Sequence, residues 1–373
     1  KSNLVEFANR FLEAIPQRLK KTPIIAVQPD KGKVKLVHYQ SSNLIMPLID
    51  DILSEGLAGT TCVLTKTNEE ALQVTGLLLK NGLQAKLIQS NEEFNLSNLL
   101  EIRYFLSLLN LTEDIYMISD EIWAKAKREL KARFGSSLNL ELCLNLISDF
   151  EAVNPRNKYK SDLDIFIRES KLEDFFAENS ETIFVSTIHK AKGREFDNVF
   201  LLLVQFNSRT NEAKRQLYVA MTRAKRNLNL HYNGNYPDFL KSEDVILIND
   251  SQTYAPPGQL AMQLTYKDVW LDSFLSRQNL ISQLNSGDIL TIDGTCCRNS
   301  KRQAVLRFSR QFMKQIESMK QKQYLPKTAK IRFIVYWRKE NSEQEIRIIL
   351  PELYFERRDA AFLETPNVMI GSD

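Results

Sequence analysis

The sequence contains few cysteines and histidines, and this shortage excludes several kinds of site. Of the four cysteines in 373 residues, only Cys296 and Cys297 are close together, and they are adjacent rather than in C-x-x-C spacing. A zinc or redox centre is therefore not expected, and with three histidines in all we predict no metal site. Unpaired cysteines of this kind are typical of reduced thiols in a cytoplasmic protein.

Long apolar runs are also missing. No stretch approaches the roughly 18 apolar residues that cross a bilayer, and the residues after Lys1 lack the apolar core of a signal peptide. We therefore expect a cytoplasmic protein without a membrane span. The formal charge of +4 allows a nucleic-acid partner but does not require one, because basic and acidic residues are nearly balanced.

A third absence concerns nucleotide chemistry. P-loop NTPases hold phosphates with a G-x-x-x-x-G-K-[ST] loop, and no segment of the sequence matches that pattern. We therefore predict that this chain alone does not hydrolyse ATP.

The order of strand-like and helix-like segments predicts an α/β protein of two or three domains. Short apolar strands alternate with helices over residues 1–98 and 179–250, which favours a parallel sheet. Residues 99–178 are helical in pattern throughout and interrupt that sheet domain as an insertion. Residues 251–285 follow as a linker with an amphipathic helix at Leu264–Leu284.

Residues 286–373 predict a small module of α+β or barrel type. A helix should follow Ser309, and residues 331–337 and 345–350 should form a hairpin.

The first chemically informative motif is Thr187–Phe196, with the sequence T-I-H-K-A-K-G-R-E-F. It follows a predicted strand, and ligands of open α/β sheets bind beyond the carboxyl ends of strands. Thr187 and His189 suit phosphate oxygens and nucleic-acid bases. Gly193 allows the backbone to approach a ligand closely, and Glu195 can accept hydrogen bonds from ribose hydroxyls. Phe196 is expected in the core.

The second motif is Glu212–Ala224, with the sequence E-A-K-R-Q-L-Y-V-A-M-T-R-A. Its Arg223 combines a permanent charge with a planar fork that binds phosphate at two points. Leu217, Val219 and Met221 are interpreted as packing residues. An alternative is that Arg223 belongs to an ordinary solvated basic face with Lys214, Arg215, Lys225 and Arg226.

Together these motifs resemble motifs V and VI of superfamily 1 helicases of the UvrD/Rep/PcrA type. The first resembles T-x-H-x-[SA]-K-G-L-E-F, with Arg194 in place of leucine. The second resembles E-E-R-R-L-x-Y-V-x-x-T-R-A, with Ala213 and Lys214 as departures. A weaker match joins Cys62–Asn68 to I-L-Y-R-[ST]-N, with Lys66 in place of arginine.

The resemblance covers about residues 1–250 and implies the second RecA-like motor domain (2A) with a reduced, all-helical 2B-type insertion. It implies that Arg223 is an arginine finger on the γ-phosphate, with Gly193 and Glu195 also at the nucleotide. Lys66, Thr187, His189 and Lys190 would contact DNA. The implied cofactor is ATP with Mg²⁺, and the Walker lysine and Mg²⁺ ligands would lie outside this chain.

The implied partners are single-stranded DNA or a single-strand/duplex junction, the N-terminal motor domain, and a protein that binds the C-terminal module, which is an SH3-like barrel in relatives. The alternative is a degenerate helicase that binds DNA or a partner without hydrolysis. A nuclease-linked subunit lacks support, because no D…E-x-K cluster stands out near the C-terminus.

Overall fold

The computed structural model describes residues 1–13, 24–26, 29–87, 95–109, 116–170, 182–189, 194–205, 210–234, 244–340 and 342–358. The chain divides into two compact units. The first combines Lys1–Ser90 with Glu178–Leu260, and the second combines Asn91–Ala177 with Ala261–Asp373. Strands and helices are numbered below in order along the whole chain.

The first unit is built on seven strands that pair in parallel throughout. They are β1 (Lys33–Tyr39), β2 (Thr61–Thr65), β3 (Ala85–Leu87), β6 (Ile183–Thr187), β7 (Phe196–Leu203), β8 (Ala224–Asn233) and β9 (Val245–Asp250). Their order in the sheet is β3-β6-β2-β7-β8-β1-β9. The predicted α/β class with a parallel sheet is confirmed, whereas β9 was not anticipated.

Helices cover both faces of this sheet. They are α1 (Ser2–Glu13), α2 (Ile45–Ser54), α3 (Asn68–Lys80) and α8 (Asn211–Met221). On one face, α1 and α8 bury Phe7, Phe11 and Leu217 against Leu201 of β7. On the other face, α2 and α3 pack against Phe200, the neighbour of Leu201. Successive residues of a strand point to opposite faces, so a nearly continuous apolar run such as β7 marks a central strand buried on both sides.

A buried polar cluster joins β1, β8 and α2. Nδ1 of His231 lies 2.7 Å from the hydroxyl oxygen of Tyr39. Its Nε2 lies 3.1 Å from Asp51 Oδ2 but without the alignment of a hydrogen bond. Lys35 Nζ pairs with Asp51 Oδ1 at 2.7 Å and also with Glu55. Charges inside a core are costly unless they are paired, so this cluster links the three elements in one arrangement.

The electrostatics of this cluster oppose protonation. Burial lowers the pKa of His231, and the Asp51 carboxylate reverses only part of that change. Burial by itself raises the pKa of Asp51, but His231 and Lys35 outweigh it, so that pKa is lower than usual. Both groups therefore favour their deprotonated forms in the folded state.

The second unit begins with four helices and a short ribbon. The helices are α4 (Leu100–Leu108), α5 (Asp120–Arg133), α6 (Leu140–Val153) and α7 (Lys160–Glu169), preceded by a 3₁₀ turn, Leu96–Asn98. Trp123 packs between Phe105 and Phe150, with ring centroids 5.1 and 5.6 Å away. The ribbon pairs β4 (Met117–Ile118) with β5 (Lys158–Tyr159). The prediction of an all-helical insertion was wrong there, because two-residue strands are too short to show alternation.

The rest of the second unit is an antiparallel sheet with one long helix. Its elements are β10 (Gln259–Gln263), α9 (Gln278–Ile281), β11 (Ile289–Asp293), β12 (Cys296–Arg298), β13 (Ala304–Arg307), α10 (Arg310–Gln321), β14 (Tyr324–Arg338) and β15 (Glu345–Arg357). The strand order is β10-β15-β14-β11-β12-β13. The expected hairpin and the helix after Ser309 are present. The segment that follows β10 is bridged to the residue after β13, Val269 to Phe308, and the module combines this sheet with helices in an α+β arrangement.

The predicted helix at Leu264–Leu284 is absent. Instead this stretch contains a 3₁₀ helix at Leu271–Arg277 and the single turn of α9. The Asp268 carboxylate accepts hydrogen bonds from both the backbone N–H and the hydroxyl of Thr265, at 2.8 and 2.7 Å. Such side-chain bonds to nearby backbone compete with helix formation. Phe274 is buried while Trp270 is 49% exposed, so they do not share a buried face.

Segments 99–178 and 286–373 were predicted as separate modules but fall in the same unit. Leu99 forms a bridge with Val335, and Asn139 Nδ2 donates a 3.0 Å hydrogen bond to Arg332 O. Contacts between residues so distant in sequence leave no local pattern, so the boundary could not be predicted. No helix in the described part of the chain is long and apolar enough to cross a membrane.

Candidate functional site

The first motif starts at the carboxyl end of β6. Thr187 is the last residue of that strand and is 7% exposed. Ile188 and His189 form the following turn, with the His189 side chain exposed. The backbone N–H of Ile188 donates a 3.0 Å hydrogen bond to the carbonyl oxygen of Thr65, which ends the neighbouring strand β2. The turn that carries His189 is therefore fixed beside the end of β2.

Lys66 follows β2 directly and is held by a capping box at the start of α3. Thr67 Oγ1 accepts from the N–H of Glu70 at 3.1 Å. Glu70 Oε2 accepts from the N–H groups of Thr67 and Lys66 at 2.9 and 3.0 Å. Thr67 is thus the N-cap, and the glutamate three residues after it completes the box. The backbone of Lys66 is fixed and its side chain is exposed.

Lys66, Thr187 and His189 consequently share one edge of the sheet. Thr65 and Thr187 are direct partners in the parallel pairing of β2 and β6, so the residues that follow them emerge together. Polar side chains beyond the carboxyl ends of adjacent parallel strands are where open α/β sheets bind ligands.

Glu195 and Arg223 lie at the opposite, amino edge. Each precedes the first residue of a strand, and those first residues, Phe196 of β7 and Ala224 of β8, are register partners. Thr187 and His189 therefore lie at the carboxyl edge, whereas Glu195 lies at the amino edge. Because β6 and β7 are parallel, the chain between Thr187 and Phe196 crosses from one edge of the sheet to the other.

The two motifs are joined at this amino edge. The backbone N–H of Phe196 donates a 2.8 Å hydrogen bond to the carbonyl oxygen of Arg223. The Arg223 guanidinium donates from Nη1 to the Arg194 carbonyl at 3.2 Å and from Nε to the Val219 carbonyl at 3.0 Å. Within the described residues these bonds go to neutral oxygens and none goes to a carboxylate. The charge of Arg223 is positioned but not neutralised.

A cavity of about 710 Å³ opens around Arg223 and Glu195. Apolar and basic residues from α1, α8 and the starts of β7 and β8 form its wall. The lining residues are Lys1, Leu4, Val5, Ala8, Ile24, Ile25, Glu195, Asp197, Tyr218, Val219, Met221, Thr222, Arg223, Ala224, Lys225 and Arg226. Four of these are cations against two carboxylates, which favours an anionic ligand.

One of the two carboxylates is already engaged. Asp197 Oδ2 accepts hydrogen bonds from the backbone N–H and hydroxyl of Thr60, at 3.0 and 3.1 Å. Its Oδ1 lies 3.1 Å from Nε of Arg226. Gly59 has φ +87°, and a Cβ there would lie 2.5 Å from Asp197 Oδ2. The backbone of Gly59 thus approaches Asp197 as only glycine allows.

Not every predicted site residue can be placed. Lys190 and Gly193 lie outside the described residues. Phe196 is buried, as expected, and so are Leu217 and Met221. Val219 is only partly buried, and it lines the cavity together with Met221. Asp197 and Tyr218 also line the cavity and were not predicted from the sequence. Asp197 lies directly after the first motif and Tyr218 within the second, but only the fold shows that they line the same cavity.

No group of three or more His, Cys, Asp or Glu side chains suited to a metal ion occurs among the described residues. The basic residues after α8 do not form one uniform face: Lys225 and Arg226 are exposed and Arg223 is partly buried at the cavity.

Comparison with known proteins gives this arrangement a context. The family model described as the UvrD-like helicase C-terminal domain matches residues 112–235, about a third of the chain. That range includes both motifs. Residues 112–235 are therefore similar to UvrD-like helicase C-terminal domains, and this segment is called the UvrD-like domain below. The matched range runs from the helices of the second unit through β8 of the first, so the UvrD-like domain contributes to both units.

Two further proteins are similar to parts of this chain. The RecBCD enzyme subunit RecB of Chlamydia pneumoniae is 37% identical over 70 residues, which are 18% of this chain and 7% of that protein. The chain therefore spans a small part of this relative. A solved structure, the C-terminal domain of a possible DNA helicase from Lactobacillus plantarum, covers 65% of this chain and 94% of its own at 15% identity and a TM-score of 0.33. A score that low carries no argument about fold.

Proposed function

We propose that the UvrD-like domain acts as the second motor half of an ATP-dependent DNA helicase or translocase. One observation carries this proposal: Glu195 and Arg223, from two separate motifs, line one cavity at the amino edge of the parallel sheet. Lys66, Thr187 and His189 lie at the carboxyl edge. A nucleotide and a DNA strand would therefore bind at opposite edges of the same rigid sheet.

The amino-edge cavity fits a nucleotide in size and charge. Ligand pockets commonly enclose about 300–1,000 Å³, and this cavity has about 710 Å³. ATP would supply the phosphoanhydride bond whose hydrolysis drives movement. Arg223 would bind the γ-phosphate and stabilise negative charge there, since a guanidinium keeps its charge and binds phosphate at two points. Glu195 would accept hydrogen bonds from the ribose hydroxyls.

Binding of the phosphate requires Arg223 to exchange partners. Its guanidinium now donates to the neutral carbonyls of Val219 and Arg194. Charge-assisted hydrogen bonds to an anion are roughly twice as strong as neutral ones. A phosphate would therefore compete well for the Nη atoms, while the bond from Nε can keep the side chain oriented.

The remaining catalytic groups are assigned to another part of the assembly. Because the sequence contains no P-loop, the Walker lysine, the Mg²⁺ ligands and the group that positions water would come from an N-terminal motor domain. The nucleotide would bind between that domain and the amino edge described here.

The carboxyl edge would hold single-stranded DNA. Lys66 offers an exposed charge for a phosphate, and His189 offers an exposed ring that can stack on a base. Thr187 is mostly buried, so its contribution would come through backbone and hydroxyl groups at the strand end. Closing and opening of the nucleotide cavity would be transmitted through β7 and its neighbours to this edge.

DNA-stimulated ATP hydrolysis tests the proposal. The chain would be combined with a segment that supplies the P-loop, and phosphate release would be measured with and without oligo-dT. We expect hydrolysis only in the combined protein, stimulated by the oligonucleotide. If the combined protein folds but does not hydrolyse ATP, or if oligo-dT does not change the rate of hydrolysis, the domain binds DNA or a partner without acting as a motor.

A further inference from the structure

The sheet of the second unit carries a strongly basic surface. Residues 289–330 contain ten Lys or Arg and two Asp or Glu, whereas the rest of the chain contains 40 basic and 44 acidic residues. The modest net charge of +4 thus hides a concentration of positive charge in one part of one unit. A local excess of this size is the electrostatic signature of a surface that binds a polyanion.

Half of these ten charges are available to a ligand. Arg298, Lys320 and Lys327 form ion pairs with Asp293, Glu317 and Glu356. Five others are exposed and have no carboxylate partner within the described part of the chain: Lys301, Arg302, Arg307, Arg310 and Lys314.

These five cations are on connected elements at one end of the sheet. Lys301 and Arg302 form the tip of the β12–β13 hairpin, and Arg307 ends β13, the outermost strand. Arg310 and Lys314 lie one turn apart on α10, whose other face buries Phe312 and Ile316. We define these five residues, together with Trp270, as the edge surface.

Trp270 adds an aromatic group to these charges. Its ring is 49% exposed, and the Arg307 guanidinium lies over it, 5.7 Å from the centroid. Its backbone N–H donates a 2.8 Å hydrogen bond to the Arg307 carbonyl, which fixes the tryptophan beside β13. An exposed indole is costly in water, and an indole next to unpaired cations is the combination that stacks bases and neutralises phosphates in single-stranded nucleic acids.

We propose that the edge surface is a second binding site for single-stranded DNA, separate from the carboxyl edge of the first unit. Lys301, Arg302, Arg307, Arg310 and Lys314 contact backbone phosphates, and a base stacks on Trp270. The choice of DNA over RNA rests on the proposed helicase function. A planar base stacks on an exposed indole face, which a lipid headgroup cannot do, and this feature favours a nucleic acid over an anionic membrane.

The test measures binding of the full chain to fluorescent dT20 by anisotropy over a range of salt concentrations. The charge variant Arg302→Ala/Arg307→Ala/Arg310→Ala should make the fall of log K, where K is the association constant, with log salt less steep by about 2. Each phosphate contact to a single strand contributes about 0.7 to that slope. Trp270→Ala should weaken binding roughly 5- to 100-fold at an unchanged slope, and Trp270→Phe should restore most of it. A matched control, Lys125→Ala/Arg128→Ala, removes exposed charge from α5 and should leave the slope unchanged.

Several results would overturn the proposal. The proposal fails if the charge variant and Trp270→Ala both keep the wild-type salt slope and affinity while circular dichroism shows that they are folded. It also fails if the wild-type chain binds rU20 or phosphatidylserine vesicles but not dT20. Lys66→Ala and His189→Ala separate this surface from the proposed motor: if only they weaken dT20 binding, the edge surface is not a site and the motor proposal stands. If only the edge variants weaken binding, the edge surface is supported and the DNA contacts of the first unit are wrong.

Discussion

The backbone N–H of Phe196 donates a 2.8 Å hydrogen bond to the carbonyl oxygen of Arg223. This bond joins the last residue of one motif to the arginine of the other, across the starts of β7 and β8. Phe196 is 4% exposed, so the bond is anchored in the core. The position of the Arg223 guanidinium at the cavity is therefore set by the parallel sheet itself and not by a free loop.

The close approach at Gly59 predicts a local stability effect. A Cβ at this position would collide with Asp197, and φ is +87°. Gly59→Ala should lower the free energy of unfolding by about 1–3 kcal/mol, the usual cost of holding a non-glycine residue in that region. Gly56→Ala is the matched control, because a Cβ there meets nothing within 4 Å. Urea denaturation of both variants tests this, and equal stabilities would contradict it.

The carboxyl edge predicts separable effects on DNA binding. Lys66→Ala should lower the salt slope of oligo-dT affinity by about 0.7, because one phosphate contact is lost. His189→Ala should weaken binding, because the exposed ring that would stack on a base is lost. Lys80→Ala removes an exposed lysine from the far end of α3 and should change neither. If Lys80→Ala lowers the slope as much as Lys66→Ala does, the assignment of this edge fails.

The buried histidine predicts that stability falls in mild acid. The pKa of His231 is lowered in the folded state, so the unfolded chain takes up a proton near its ordinary pKa of about 6.5 while the folded chain does not. The contribution of His231 is therefore complete above that pH. It is lost as pH falls toward the folded-state pKa, by at most about 1.4 kcal/mol per pH unit. Asp51 extends the loss at lower pH, because its pKa is also lowered.

Unfolding by urea at pH 7.5 and 5.5 measures this dependence. His231→Gln cannot take up a proton and should lose less stability between these two pH values than the wild-type protein, whatever its stability at pH 7.5. His189→Gln, at an exposed position, should behave like the wild type. A wild-type pH dependence in His231→Gln would show that another group is responsible.

The sequence predicted some of these features and missed others for physical reasons. The apolar runs of β6 and β7 are buried on both faces, so their pattern alone indicated central parallel strands. The two motifs were visible because their residues are consecutive. The separation of Thr187 from Glu195 was not visible, because it depends on β7 running parallel to β6. The helix predicted at Leu264–Leu284 does not form, because the Asp268 carboxylate accepts a hydrogen bond from the backbone N–H of Thr265.

Long-range pairing limited the domain prediction in the same way. The bridge between Leu99 and Val335 places the helical segment and the C-terminal sheet in one unit, although about half of the first unit lies between them in sequence. Tyr218 was not predicted as a cavity residue because the cavity forms only where α1 packs beside α8. These two helices are about 200 residues apart in the sequence.

The rate of ATP hydrolysis with variants of Arg223 tests the central claim most directly. The chain, combined with a P-loop domain and saturated with oligo-dT, would be followed in single turnovers. Arg223→Ala should slow hydrolysis by about 10³- to 10⁵-fold, as expected for loss of an arginine finger. Arg223→Lys should recover part of the rate. Arg215→Ala, which changes an exposed residue of α8, should leave the rate of hydrolysis unchanged. Hydrolysis by folded Arg223→Ala at the wild-type rate would contradict the assignment of the amino-edge cavity to nucleotide.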